Sequence, residues 1–199
     1  ANGAAKAYPL TYVAHHHVVN DRVGGQPVAV TFCPMCHLAI AYDTAGLGPI
    51  YVATLHSGNL VLADLETDTY WQQGSGEYLA GPKADVTLQP LAAAVLTWAQ
   101  ARAQHPEIEV VRVSERDLMP FRLPVPGLWQ RVINSDFVPT LPRDHKDERL
   151  PARQLVIGVA LFEANLDYLK DELLAAGLVY NADHGFAMIA QDEAVRGYQ

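Results

Sequence analysis

The residues best suited to chemistry in this sequence lie in one pentapeptide, Cys33-Pro34-Met35-Cys36-His37. It holds both cysteines of a chain that has two Cys, three Met and eight His in 199 residues. Cysteines that only filled a core would be scattered, so this spacing points to a shared task. Four chemistries compete. Two thiolates with one or more imidazoles form a soft donor set for copper, and after it zinc, with the Met35 thioether favouring Cu(I). The letters Cys-x-x-Cys-His also match the attachment signature of haem c, in which Cys33 and Cys36 bind the haem vinyl groups and His37 the iron. A Cys-x-x-Cys pair can instead cycle between dithiol and disulfide, most readily at a helix N-terminus, where thiolate is stabilised. Here Leu38-Ala-Ile-Ala-Tyr42 reads as strand, which leaves His37 as the nearby source of positive charge. The fourth chemistry is a short disulfide that pins a turn in an exported protein. In a straight strand Cys33 and Cys36 point to opposite faces, whereas the break in pairing at Pro34 allows a tight turn that aims both sulfurs at one point.

Further donors for a metal are the run His15-His16-His17 and His56, which follows the next strand. In extended form the run projects His15 and His17 to one side and His16 to the other. The candidate ligand set is therefore Cys33, Cys36, His37, His16, His17 and His56. Each imidazole also has a plainer reading: three consecutive His suit a polar edge strand, and a lone His56 suits a hydrogen-bonded surface. His105 ends a helix, where a cation is favoured. His145 lies in the mixed-charge stretch 143–149, and His184 in a turn. Asn20, Asp21 and Asn59 are turn formers first and site residues second, and Trp71 and Trp98 read as core anchors. No Gly-x-Gly-x-x-Gly follows a strand and no serine nucleophile elbow occurs, so neither nicotinamide binding nor hydrolase chemistry is indicated.

The elements that must position these residues are mostly strands. Val18-Val19 leads through Asn20-Asp21 and Gly24-Gly25 into Val28-Ala-Val-Thr-Phe32, which predicts a hairpin. Leu38–Tyr42, Ile50–Leu55, Leu60–Leu62, Thr69–Trp71 and Glu109–Val113 continue the β pattern. Leu91, Val95, Trp98 and Arg102 recur at helical spacing between Pro90 and Pro106 and predict one helix. Asn165 to Ala176, closed by Gly177, predicts a second. Between Met119 and Pro151, residues Pro120, Pro124, Pro126, Pro139, Pro142 and Pro151 indicate an irregular covering loop. Leu155–Ala160 and Phe186–Ile189 read as further strands. The stretches 4–32 and 164–190 share a loose internal repeat. The fold class expected is α+β, a mostly antiparallel sheet with two principal helices and a long Pro-rich covering loop, in a single domain over 1–199.

Several phrases taken together resemble the bacterial and archaeal domain-of-unknown-function 3179 family. They are Ala7-Tyr-Pro-Leu10, His16-His-Val-Val-Asn-Asp21 with Gly24-Gly25, Pro27-Val-Ala-Val-Thr-Phe-Cys-Pro-Met-Cys36, Ser57-Gly-Asn-Leu-Val61, Trp71-Gln-Gln73 followed by Gly76-Glu77, and Leu150-Pro-Ala152. The resemblance spans nearly the whole chain and brings no established activity. It implies export or lipid anchoring, hence an extracytoplasmic site, and it places His16 first among the candidate imidazoles, with His37 next by proximity. Two positions depart from the family pattern: His37 stands where a glycine or another small or polar residue is usual, and His17 where a glutamate is common. Both departures add an imidazole.

Composition bounds the partners. Half of the residues are hydrophobic and 18% are charged, which suits a packed globular core rather than disorder. The net charge of −8, from 22 acidic against 14 basic residues, argues against nucleic acid, whose phosphates need a basic surface. No apolar stretch approaches the ~20 residues of a membrane-spanning helix. The start Ala-Asn-Gly-Ala-Ala suits the exposed end left after signal cleavage. The combined expectation is an exported protein that binds a soft metal, copper before zinc, at the Cys-x-x-Cys-His turn, with a redox or metal-transfer partner. The alternatives are a haem c electron-transfer protein and a disulfide-pinned extracellular structural or filament subunit that self-associates through its sheet edges.

Overall fold

The computed structural model describes residues 3–114 and, beyond them, 156–160, 165–169, 175–176, 178–181, 186–191 and 194–198. The chain forms two compact units, Ala1–Asp144 and His145–Gln199. In order, the first contains β1 (Lys6–Ala7), α1 (Leu10–His16), β2 (Val18–Val23), β3 (Gln26–Cys33), β4 (Leu38–Asp43), β5 (Ile50–His56), β6 (Asn59–Asp64), β7 (Tyr70–Gln72), β8 (Tyr78–Ala80), β9 (Gln89–Leu91), α2 (Trp98–Gln104) and β10 (Glu109–Val110). The second contains β11 (Val156–Ala160) paired antiparallel with β12 (Asn165–Leu169), and an antiparallel sheet of β13 (Leu178–Asn181), β14 (Phe186–Gln191) and β15 (Ala194–Tyr198).

The described strands of the first unit form two four-stranded antiparallel sheets, ordered β2-β3-β4-β9 and β5-β6-β7-β8, and a parallel β1–β10 pair. Their shared core joins Ala29 and Tyr42 of one sheet to Ile50, Leu62 and Trp71 of the other, with Leu88 between them in sequence from β8 to β9. Strand parity explains the arrangement. Ala29, Thr31 and Cys33 alternate onto the face of β3 that looks at the second sheet, and their partners Tyr42, Ile40 and Leu38 lie on the same face of β4. Phe32 points the other way and packs with Val13 of α1 and Val19 of β2. The expected β2–β3 hairpin forms, and Gly24 and Gly25 take the positive φ values, 56° and 84°, that its tight turn requires. Gly76 also has positive φ, 72°, and a Cβ there would fall 2.5 Å from the Leu88 carbonyl oxygen, so the β7–β8 turn can approach Leu88 only as glycine.

The α+β class, with two helices, α1 and α2, among the named elements and mostly antiparallel sheet, is as expected, and one of the two expected helices forms in part. Residues 10–16, which include His15 and His16 of the run read in extended form, form α1. Pro9 opens it with φ −55°, and the burial of Val13 against Val19 and Phe32 supplies the packing that a seven-residue helix needs. His15 and His16 therefore sit in a last helical turn rather than on opposite sides of a strand. The helix expected between Pro90 and Pro106 is confined to α2, because Gln89–Leu91 pairs with β4 instead. Its start is a capping box: the Thr97 hydroxyl accepts from the Gln100 N–H at 3.3 Å, and the Thr97 N–H donates to the Gln100 side chain at 2.8 Å. Of the helix expected over Asn165–Ala176, residues 165–169 form a strand instead, in continuous register against Val156–Ala160, residues 175–176 are helical, and 170–174 lie outside the described residues. The Pro-rich stretch 119–151 lies outside the described residues, and the comparison of 4–32 with 164–190 rests in part on residues outside them.

Candidate functional site

Cys33 ends β3, and residues 34–37 turn the chain into β4, where Leu38 pairs with Cys33. Since Cys33 has the parity of Thr31 and Ala29, its side chain enters the space between the sheets and is 1% exposed. The turn brings Cys36 back, with His37 at φ 54°. The two sulfurs lie at disulfide-bonding distance, and the Cα atoms are 5.3 Å apart, inside the range a disulfide spans. The Cys36 N–H donates to Cys33 Sγ at 3.3 Å.

The second sheet supplies the other wall. The β5–β6 turn at Ser57 and Gly58 sets the Gly58 carbonyl oxygen 2.9 Å from Cys36 Sγ, so a reduced Cys36 thiol donates to it. Asn59 Nδ2 donates to the same sulfur at 3.5 Å and to Gln73 Oε1 at 3.3 Å, while Asn59 Oδ1 accepts from the Gly74 N–H at 3.1 Å. Gln73 is fully buried. Its Nε2 donates to Thr31 Oγ1 at 3.0 Å and to the Leu38 carbonyl at 3.2 Å, and Thr31 in turn donates to the Ile40 carbonyl. The Gln73 carbonyl accepts from the Tyr42 hydroxyl at 2.6 Å, and burial pushes that hydroxyl up to about 12. Both amide orientations are thereby assigned: Asn59 must face Gly74 with oxygen and Cys36 with nitrogen, and Gln73 must face Asn59 with oxygen.

The expected imidazoles lie on separate elements of the first unit. His37 is exposed next to Cys36, His16 is exposed in the last turn of α1, and His56 is exposed at the end of β5. His17 is half-buried, and its carbonyl accepts from the Phe32 N–H at 2.9 Å, so the histidine run reaches the strand that ends at Cys33. Among the described residues, no three His, Cys, Asp or Glu side chains are grouped to hold a metal ion. The donors seen together are the two sulfurs. Gly58 and Gln73, not singled out from the sequence, complete the site. Both stand within the phrases Ser57–Val61 and Trp71–Gln73 that carry the resemblance, which was the available signal. Asn59, read first as a turn former, does both jobs.

Burial, reinforced by neighbouring His15, holds the His17 imidazole below the ordinary histidine value, outweighing its backbone contacts with Phe32 and Ala14. The unfolded chain therefore takes up a proton before the folded one does. Stability conferred by neutral His17 is present above about pH 6.5 and declines as pH falls below it toward the lowered folded value. Thermal unfolding between pH 7.5 and 5 should show a falling midpoint that His17→Asn flattens, since asparagine tolerates the φ of 63° at this position. An unchanged slope in the variant would remove His17 as the cause.

The profile of a family described as Protein of unknown function (DUF3179) matches residues 1–197. No curated protein and no solved structure matches the chain.

Proposed function

We propose that this chain, which belongs to the DUF3179 family, is an extracytoplasmic thiol–disulfide redox protein in which Cys33 and Cys36 exchange electrons with a partner dithiol. The observation that carries this reading is that both oxidation states are provided for. Each sulfur has an N–H donor, and Cys36 Sγ has a carbonyl acceptor at 2.9 Å for the proton it carries when reduced. A disulfide that only pins a turn needs none of these.

The half-buried Cys36 is the accessible sulfur and the buried Cys33 the shielded one. A partner thiolate attacks Cys36 Sγ, forming a partner–Cys36 disulfide and breaking the Cys33–Cys36 bond, whose electron pair leaves on Cys33 beside the Cys36 N–H. The partner's second thiolate then attacks the partner sulfur of this mixed disulfide. The partner's own disulfide forms, and Cys36 leaves with the electron pair. Both cysteines take up the protons that the partner thiols released. The partner is oxidised by two electrons and the Cys33–Cys36 pair is reduced by two; a partner disulfide drives the reverse.

Equilibration in glutathione redox buffers, followed by alkylation and intact mass, tests this reading. A reversible two-electron transition between about −270 and −120 mV is expected. A disulfide that stays closed below about −300 mV would make it a structural staple. Stoichiometric copper in protein from its native source, or a Soret band with a haem-sized mass increase, would replace redox exchange with the metal or haem chemistry. Haem attachment would also require Cys33, 1% exposed, to leave the inter-sheet space.

A further inference from the structure

Resting on that reading, we infer that the Asn59 carboxamide is the donor that stabilises the charge on Cys36 as it leaves the mixed disulfide, and that Gln73 is the positioning residue that aims it. During exchange the charge passes from one sulfur to the other. Cys33 meets it with a backbone donor, the Cys36 N–H at 3.3 Å, and Cys36 with a side-chain donor, Asn59 Nδ2 at 3.5 Å. Hydrogen bonds to a charged sulfur are stronger than those to a neutral one, so a donor fixed here favours the transition state over the resting disulfide.

The amide can do this only if its nitrogen faces Cys36, and the chain of hydrogen bonds behind it enforces that orientation. Gly74 N–H occupies Oδ1, so the opposite orientation would set two donors against each other. Gln73 Oε1 takes one hydrogen of Nδ2 and leaves the other for the sulfur. Gln73 is itself locked, with Nε2 divided between Thr31 Oγ1 and the Leu38 carbonyl. Oxygen from Gly58 and nitrogen from Asn59 thus give Cys36 separate partners for its two reduced forms: the thiol donates to the carbonyl and the thiolate accepts from the amide.

The test isolates the leaving step. In full-length Cys33→Ser protein, Cys36 is converted to its glutathione mixed disulfide; a dithiothreitol thiolate attacks the exposed glutathione sulfur, forming a glutathione–dithiothreitol disulfide while Cys36 leaves with the electron pair, and release at fixed pH is followed by mass. Asn59→Ala in this background should slow release about threefold to tenfold, given the strength of charge-assisted hydrogen bonds and the partial sensitivity of exchange to its leaving group. Asn59→Asp is the deciding variant: it keeps the oxygen that accepts from Gly74 and hence the turn, but replaces the donor with an oxygen. Release at least as slow as in Asn59→Ala supports the inference; release at the Cys33→Ser rate overturns it, since Asn59 would then only hold the turn. If Asn59→Ala does not fold, Asn59→Asp is compared with Cys33→Ser alone: release slowed at least about threefold supports the inference, and an unchanged rate overturns it. Because the adduct is made chemically, these rates are independent of whether the native disulfide exchanges with glutathione, so failure of the redox reading and failure of the Asn59 assignment are read from different experiments.

Discussion

Cys33→Ser protein incubated with oxidised glutathione is expected to accumulate a stable adduct at Cys36, and Cys36→Ser protein to remain nearly unmodified. In the native chain an adduct on Cys36 is displaced by Cys33, which re-forms the internal disulfide; serine at 33 removes that nucleophile and traps the adduct. Serine at 36 leaves only Cys33, 1% exposed between the sheets and out of reach of a bulky thiol. The difference should be at least about tenfold in adduct after equal times, read by mass spectrometry of the intact protein. Equal labelling of the two variants would contradict the assignment of Cys36 as the exchanging sulfur. Neither substitution should unfold the protein. The cross-link joins residues only three apart, and closing so small a loop restricts the unfolded chain by about 2 kcal/mol.

Trp71→Ala is expected to be the most damaging single change in the first unit, costing about 3–5 kcal/mol. Trp71 is wholly buried, packs in the core shared by both sheets, and donates its Nε1–H to the Val86 carbonyl at 2.7 Å. Truncation removes the ring from the contact of β3 and β4 with β5 and β6 and leaves that carbonyl without its donor. Against the ~5–15 kcal/mol that holds an ordinary domain folded, such a loss brings the unit close to unfolding. Trp71→Phe keeps most of the volume and should lose roughly 1–3 kcal/mol, chiefly the hydrogen bond. Urea unfolding of the three proteins measures both steps. A midpoint for Trp71→Ala close to that of the native chain would mean that the two sheets do not depend on this ring. Since Gln73 stands two residues on in the chain, the same loss should loosen the amide network and slow exchange at Cys36.

The strands were legible where their signals are local. Val28–Phe32 and Leu38–Tyr42 alternate with period two, Gly24-Gly25 supplies positive φ, and Pro34 interrupts pairing where the two cysteines meet, so the hairpin and its sulfur-bearing turn follow from neighbouring residues alone. The helices were less legible. Thr97 and Gln100 carry a capping box whose spacing is visible in the sequence, yet the apolar spacing of Leu91 and Val95 extends the pattern upstream, where pairing of β9 with β4 prevails. In α1 the only buried residue is Val13, too little periodicity to outweigh the β-branched and aromatic character of Thr11, Tyr12 and Val13. Asn165–Leu169 has helix-compatible letters, and only the partner Val156–Ala160 makes it a strand.

What the sequence by itself determined is that this chain has one place for sulfur chemistry, a Cys-x-x-Cys turn between antiparallel strands, because a turn and two alternating strands are written in residues that touch one another along the chain. What only the tertiary structure decided is the surroundings of those sulfurs. Gly58 and Asn59 reach Cys36 from 22 and 23 residues away, and Gln73 reaches Thr31 across 42. The histidines that looked like ligands form no metal group with the cysteines among the described residues. The physical reason is that hydrogen-bond partners across two packed sheets are set by strand register and sheet apposition, which depend on the whole core and leave no local pattern in the letters.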